Sequence, residues 1–285
     1  MLDAVNDPKQ DINDVIARYF NRDNYVTWLA VNDLMEDLDT GSQNFVLYSP
    51  SGYEGWYLLP WDYDGAWGWY EQPGEPPRAR WRSGLANWWP IVLHERFFRD
   101  PRNVADVTAA VDKLLATTMS DARTASMMAR WHDVVKPFIS MSPDRDNLPA
   151  DRAGTPDVIP QWETEYARVQ STVSAMEVEY VTSLSRPMPV FLYQASLADP
   201  MGLSWGTSIE LGGEPVTYDL LISRTADFHP EDIVVMQAGL TRAQASVKRP
   251  DPGTYYWRVV IRDQTDPINN WQQSFQDASF TVPAP

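Results

Sequence analysis

The chain has 285 residues, and 44% of them are hydrophobic, which is enough apolar surface for two folded domains. Its 39 acidic and 23 basic residues give a net charge of −16, which repels a phosphate backbone and argues against a nucleic-acid partner. The absence of cysteine excludes disulfides and thiol catalysis, and three scattered histidines argue against a His-based metal site. No apolar run of about 18 residues is present, and the first residues lack the basic and apolar regions of a signal peptide.

The first third of the chain changes from helical to strand-like periodicity. Residues 9–38 carry apolar side chains at helical spacing, which predicts two helices meeting near residues 21–24. Residues 43–62 contain two short apolar runs, FVLY and WYLLPW, separated by SPSGYEG with Pro and Gly at turn positions. That arrangement predicts a β-hairpin.

Helical patterns resume after a loop at 72–84 that is rich in Pro, Gly and Arg. They predict four helices, at 85–98, 102–117, 120–142 and 160–184, with a long polar loop between the last two. Helical periodicity stops at SRPMPV, where two prolines precede a strand-like region. We therefore expect an α+β protein with one domain at 1–187 and a second at 188–285.

The second domain reads as seven short strands with turn residues between them: VFLYQAS, GLSWG, VTYDLLISR, IVVMQ, AQASVK, TYYWRVVIRD and SFTV. Together with the run PGTYYWRV, these segments resemble a fibronectin type III domain with an immunoglobulin-like β-sandwich fold. The resemblance implies that Trp205 fills the core and that Tyr255 or Tyr256 bonds back to an upstream loop. It also implies a spacer or adhesion role, without a catalytic one.

The densest polar segments of the first domain are DLDTGSQN, at 37–44, and LLPWDYDGAWG, at 58–68. Asp39 and Asn44 have the D-x-x-x-x-N spacing of a kinase catalytic loop, and Asp62 follows the hairpin as a kinase's metal-binding Asp does. Carboxylates about 4 Å apart repel by roughly 4 kcal/mol at an effective dielectric of 20, so such a cluster favours a cation or raised pKa values. Spacing alone favours the simpler interpretation, in which Asp39, Asp62 and Asp64 are turn acids.

The stretch from DNYVTWLAVNDLMEDLDTGSQNF to PWDYDGAWG resembles the core signature of the CotH kinase family, which contains atypical secreted or spore-coat protein kinases. The resemblance covers roughly residues 20–185. It implies that Asp39 is the catalytic-loop carboxylate, that Asn44 and Asp62 hold Mg²⁺ (or Mn²⁺) and ATP, and that Asp64 contacts the metal. Asp39 and Asp62 are the predicted catalytic residues.

The sequence departs from the family's pattern in two ways. The segment MEDLD supplies Glu36 and Asp37 where the family has a polar, Asn-containing segment, and this added charge either supports metal binding or faces solvent. The strands that cover the nucleotide and supply a phosphate-contacting basic residue are expected upstream, and Lys9 is the only lysine before residue 113. The resemblance therefore leaves open whether the chain is active by itself.

Two other functions stay open at this point. Seven tryptophans near paired acids suggest carbohydrate binding or glycoside hydrolysis, although burial in a core is the commoner explanation of Trp: Trp56, Trp61, Trp67, Trp69, Trp81, Trp88 and Trp89. The other alternative to the kinase interpretation is a structural role as a surface or spore-coat protein. With the kinase interpretation we expect a Ser/Thr-containing protein substrate, no membrane span, an extracellular or cell-surface location, and polysaccharide or cell-surface contact through the second domain.

Overall fold

The computed structural model describes residues 1–41, 43–69, 78–147 and 158–284. It divides the chain into two compact units, Met1–Val181 and Thr182–Pro285, and the boundary predicted from the sequence falls between residues 187 and 188. Helices dominate the first unit and antiparallel strands the second, in agreement with the α+β class. In the described part of the chain, no helix is both long and apolar enough to span a membrane.

The first unit contains eight helices and one hairpin among its described residues, with α8 running across the unit boundary. The helices are α1 (Leu2–Asn6), α2 (Ile12–Tyr19), α3 (Arg22–Met35), α4 (Val92–Phe98), α5 (Pro101–Ala116), α6 (Asp121–Ile139), α7 (Val158–Gln170) and α8 (Thr172–Ser183). The predicted hairpin is confirmed, because β1 (Phe45–Tyr48) and β2 (Tyr57–Pro60) pair antiparallel. Asp11 and Asn21 cap α2 and α3 by accepting backbone N–H bonds with their side chains.

Two of the predicted helices are wrong in extent. Residues 85–98 form a 3-10 turn, Gly84–Trp88, and then α4, because Pro90 cannot continue a helix. The helix predicted at 160–184 is interrupted at Ser171, whose hydroxyl donates to the Arg168 carbonyl and competes with helical bonding. The predicted loops at 72–84 and 142–160 lie partly outside the described residues.

The core of the first unit surrounds α3. Tyr25 and Leu29 are fully buried and Trp28 nearly so, and α3 packs against α5. The Tyr25 hydroxyl lies 2.6 Å from Nδ1 of buried His94, whose pKa burial lowers to about 3, so this imidazole is neutral. The histidine is thus a core residue with a satisfied ring nitrogen.

The second unit has two antiparallel sheets around one core. One sheet pairs β3 (Met201–Ser204) with β6 (Gln244–Val247). The other contains β4 (Val216–Ser223), β5 (Ile233–Leu240), β7 (Gly253–Asp263), β8 (Trp271–Gln273) and β9 (Ala278–Val282). Trp205, Leu220 and Trp257 are buried in the shared core, as expected for Trp205.

The strand predicted at 190–196 is wrong. This segment makes only isolated bridges, Leu192 to Trp205 and Ser196 to Gly202, and otherwise bonds alternately to separate strands and loops. Strand β8 was not predicted, because its Trp-Gln-Gln run lacks the β-branched alternation that marks a strand.

Tyr255 forms the predicted corner, since its hydroxyl donates to the Asp251 carbonyl at 3.0 Å. We expect Tyr255→Phe to lower the free energy of unfolding by about 1 kcal/mol, because it removes one partly buried hydrogen bond and keeps the ring. Tyr256→Phe is the matched control, with a change expected within about 0.5 kcal/mol. Urea unfolding of the chain measures both, and equal effects of the two variants would contradict the assignment.

Candidate functional site

The site begins where α3 ends. Glu36 takes the left-handed conformation, with φ 54°, and its N–H donates to the carbonyls of Asn32 and Asp33. Helices often end on a left-handed residue, usually Gly, because a side chain is strained there. The Glu36 side chain is buried and forms an ion pair with Arg78. Glu36 therefore does not face solvent.

The hairpin is docked on α3 by one side chain near the start of that helix. The Asn24 amide donates to the Leu58 carbonyl at 3.1 Å, and its Oδ1 accepts from the Leu58 N–H at 2.8 Å. The Asn24 side chain therefore pairs with both backbone groups of Leu58, as the backbone of a neighbouring strand would. Because Phe45 pairs with Pro60, the residues on either side, Asn44 and Trp61, leave the hairpin at the same end.

The turn after β2 carries two of the predicted site residues against a third. Asp62 is left-handed, with φ 57°, and opens a 3-10 turn at Tyr63–Gly65 that contains Asp64. Oδ2 of Asp39 lies 3.1 Å from the position that a Cβ on Gly65 would occupy. The structure therefore brings Asp39 against the Asp62–Gly65 turn, and a side chain at position 65 would displace it.

The end of this turn is fixed to the helices around it. The Trp67 N–H donates to the carbonyl of Met35, the last residue of α3, at 2.6 Å. Nη1 of Arg168, on α7, donates to the carbonyls of Trp67 and Gly68 at 3.0 and 2.8 Å. The two polar segments that the sequence analysis selected are thus held at one end of α3.

Backbone strain is concentrated in this site. Of the five non-glycine residues with positive φ among the described residues, Asn44, Asp62 and Trp67 belong to these segments and Glu36 directly precedes the first one. Each left-handed residue of this kind costs on the order of 1 kcal/mol or more and persists only where its surroundings enforce it. Such clusters are typical of functional sites.

Asp37 is an acidic residue of the site whose burial the sequence did not indicate. It is 1% exposed, and neither carboxylate oxygen has a hydrogen-bond partner of normal geometry among the described residues. Burial, together with the smaller effects of the charges of Asp39, Asp64 and Asp62, raises the Asp37 pKa to about 7, against the opposing effect of the Asp39 N–H. Four carboxylates therefore act on one another at this point.

Two arginines partly offset this charge. Nη2 of Arg82 lies 3.6 Å from Oδ1 of Asp39, and Arg78 pairs with Glu36. The sequence offers no lysine for the site, and the place of these arginines could not be predicted because their loop gives no periodic signal. Guanidinium groups bind phosphate as readily as lysine does.

The predicted metal ligands are Asn44, Asp62 and Asp64. Their oxygen donors suit Mg²⁺, and the two unpartnered oxygens of buried Asp37 beside them indicate a place where a cation would lower the electrostatic free energy. Within the described ranges, no three His, Cys, Asp or Glu side chains converge closely enough to hold a metal. The predicted set contains only two carboxylates and one amide, and its metal-binding role stays a prediction.

A cavity of about 400 Å³ borders the site. It is lined by residues of α3, the hairpin and the turn after it: Asn24, Thr27, Trp28, Val31, Met35, Leu58, Pro60 and Tyr63. This lining is almost wholly apolar, so the cavity suits an apolar group and not a phosphate.

The tryptophans that suggested a carbohydrate site differ in exposure. Trp88 and Trp89 are buried in the core, whereas Trp61 is 63% exposed. The other four of that set are partly buried. Core packing therefore explains part of the tryptophan content.

The family of the chain follows from comparison with known proteins. The family model described as CotH kinase protein matches residues 1–177, which is more than half of the chain and includes both polar segments of the site. The chain belongs to the CotH kinase protein family. This finding confirms the family resemblance that the sequence analysis drew from the same segments.

One curated relative of this CotH family member is the inner spore coat protein H of Bacillus subtilis (strain 168). The two are 27% identical over 159 residues, which are 53% of this chain and 41% of the relative. The chain thus spans less than half the length of the relative that it matches.

Behind the site, Asp33 of α3 is a second buried acid. Its Oδ1 accepts from Trp88 Nε1 at 3.1 Å, whereas Oδ2 has no partner. Burial raises the Asp33 pKa from 3.8 to about 7, and the Trp88 bond opposes this only in part. The folded state therefore binds the proton more tightly than the unfolded state.

We expect the free energy of unfolding to fall as the pH rises from about 4 through about 7, because the buried Asp33 carboxyl must ionise over that range. A shift of this size corresponds to at most about 4 kcal/mol. Asp33→Asn keeps the acceptor for Trp88, so it should remove a large part of the fall. Denaturant unfolding at pH 5 and pH 8 measures the difference.

Asp23→Asn, at an exposed position of the same helix, is the control and should leave the pH dependence unchanged. If Asp33→Asn shows the same pH dependence as the unsubstituted chain, Asp33 does not carry the proton.

Proposed function

We propose that the chain carries the catalytic carboxylates of an atypical protein kinase that transfers the γ-phosphoryl group of ATP to a Ser or Thr hydroxyl of a protein. The observation that carries the proposal is the contact of Asp39 with the Asp62–Gly65 turn. It joins the two segments that the kinase interpretation requires to meet. Membership of the CotH kinase protein family supports the same activity.

Asp39 is the residue that we assign to the acceptor hydroxyl. It is about one-third exposed, so its carboxylate is accessible from solvent while its position is fixed by Gly65 and Arg82. Its role is to accept a hydrogen bond from the hydroxyl and to take that proton as the new O–P bond forms and the bond to the ADP oxygen breaks. Positioning supplies most of the catalysis of such transfers.

Asn44, Asp62 and Asp64 would hold Mg²⁺ or Mn²⁺, which when bound neutralises charge on the β- and γ-phosphates. The left-handed backbone at Asn44 and Asp62 directs both segments into the site at a cost in stability, which is the pattern expected of residues selected for their side chains. Arg82 adds positive charge beside Asp39, and Arg78 offsets the charge of buried Glu36.

We infer that the second unit is a fibronectin type III-like spacer. Its two antiparallel sheets, core tryptophans and tyrosine corner support this assignment. The spore-coat relative supports a location at the cell or spore surface, where the second unit would contact the surface or its polysaccharide.

Binding of ATP tests the site directly. We expect ATP to bind only with Mg²⁺ and Asp62→Ala to weaken that binding at least tenfold, because a metal ligand is removed. Isothermal calorimetry of the chain measures both. Glu54→Ala removes an exposed acid from the tip of the same hairpin and should bind as the unsubstituted chain does.

Metal-dependent binding that survives in Asp62→Ala would place the nucleotide elsewhere. The absence of binding in every variant would overturn the proposal for this chain.

Transfer is tested separately from binding. We expect Asp39→Asn to keep the affinity for Mg-ATP within about threefold but to lower phosphoryl transfer to Ser and Thr by about 100-fold or more, because the amide cannot accept the proton. Transfer of labelled phosphate to a generic protein acceptor is the measurement. An Asp39→Asn chain with full activity would remove Asp39 from the reaction.

A further inference from the structure

From its middle onward α6 exposes large apolar side chains, and Met141, two residues past its end, continues the stripe: Met127, Trp131, Val134, Phe138 and Met141. All five are between 48% and 61% exposed. Their spacing is 4, 3, 4 and 3 residues, which is the a/d repeat of a coiled-coil seam. The first four lie along one line of the helix, and Met141 follows the same spacing beyond its end. We name these five residues the α6 seam.

The opposite face of α6 is already packed in the first unit. His132 stacks on Trp162 and Tyr166 of α7, with ring centroids 4.8 and 4.6 Å apart, and its Nε2 lies 2.8 Å from Glu163. Ile139 is buried. The contact with α7 therefore uses one side of α6 and leaves the α6 seam outside, so the seam is not part of the unit's core.

We propose that the α6 seam is a dimerisation surface, which pairs with the α6 seam of a second copy of the chain in an antiparallel, two-fold arrangement. An a/d repeat packs knobs into holes against a helix that carries the same repeat, and a second copy of the chain supplies such a helix. Among the described helices of the chain, α6 is the one that leaves such a stripe exposed. In a two-fold dimer the same surface serves both partners.

The side chains complement one another in the antiparallel direction. Antiparallel seams alternate a and d positions across the interface, which sets Trp131 opposite Val134 and Met127 opposite Phe138 of the second copy. A large side chain then meets a smaller one in each layer, which is the arrangement that packs without voids. A parallel pairing would instead set two Trp131 rings against each other.

The charge of α6 also favours this surface for self-association. The chain has a net charge of −16, so most of its faces repel a second copy. Helix α6 carries three basic residues, Arg123, Arg130 and Lys136, against two acidic ones, Asp121 and Asp133. The repulsion between copies is therefore smaller here than the overall charge would suggest.

The area available matches a weak dimer. Half-exposed side chains of this size offer on the order of 100 Å² each, so two α6 seams bury roughly 1,000 Å². This is below the lower limit of about 1,200 Å² for stable interfaces and in the range of weak, transient ones, and the flanking Val135 and the stem of Arg130 add to it. We expect a dissociation constant on the order of micromolar.

The oligomeric state of the whole chain tests the proposal. Sedimentation velocity across a concentration series should show a monomer–dimer equilibrium for the unsubstituted chain. Met127→Glu should shift it at least tenfold toward monomer, because a carboxylate would face Phe138 of the other copy. Met236→Glu makes the same change at an exposed site of β5 and should leave the equilibrium unchanged.

Circular dichroism establishes that each variant keeps its helix content. A chain that stays monomeric up to millimolar concentration overturns the proposal. So does a dimer that Met127→Glu leaves intact.

The pairing direction is tested by cross-linking, for which a chain without cysteine gives a clean background. Met127→Cys and Phe138→Cys lie eleven residues apart, about 16 Å along the helix. In the antiparallel dimer neither variant alone forms a disulfide, but an oxidised mixture of the two does. Disulfides within each single variant, and not in excess in the mixture, would establish a parallel pairing and overturn the proposed one.

Discussion

The docking of the hairpin on α3 is the interaction on which the candidate site depends. Asn24 fixes β2 beside the helix with two hydrogen bonds to the Leu58 backbone, and the Trp67 N–H fixes the following turn to the last residue of α3. Because both attachments are to one rigid helix, Asp39 and the Asp62–Gly65 turn meet although the hairpin separates them along the chain. A hairpin of two short strands is marginally stable by itself, so the helix supplies the order that the strands lack.

The same helix end carries a large electrostatic cost. Asp33 and Asp37 are buried without full hydrogen bonding, Glu36 is buried against one arginine, and three further carboxylates lie nearby. Buried polar groups of this kind lower stability unless something neutralises them. Their concentration at one point, together with four residues of positive φ, lowers the stability of this part of the first unit. An ion or a ligand that binds here would stabilise the fold as well as take part in chemistry.

The sequence predicted the structure correctly where a short stretch of residues is compatible with one local conformation. The short apolar runs on either side of SPSGYEG predicted β1 and β2, and the spacing of Asp39 and Asp62 around them selected residues that the fold brings together. The pairing of Glu36 with Arg78 and the approach of Arg82 to Asp39 could not be predicted, because they join segments about forty residues apart without periodicity. Residues 190–196 were predicted as a strand from the β-propensity of their side chains. A strand also needs one neighbouring strand that pairs with it along its length, and this segment forms only isolated bridges. Likewise, the helical pattern around Trp131 predicted α6 correctly but not that its apolar seam would be left outside the core.

The four left-handed residues of the site have a consequence for how the protein tolerates change. Glycine would relieve the strain at Glu36, Asn44, Asp62 or Trp67 without disturbing the backbone path. At each of these places the chain carries a side chain although glycine would adopt the same backbone conformation without strain. A laboratory selection for heat resistance alone would therefore drift toward glycine at these positions and erase the polar groups of the site, whereas a selection that also demanded activity would have to find its gains in other parts of the molecule.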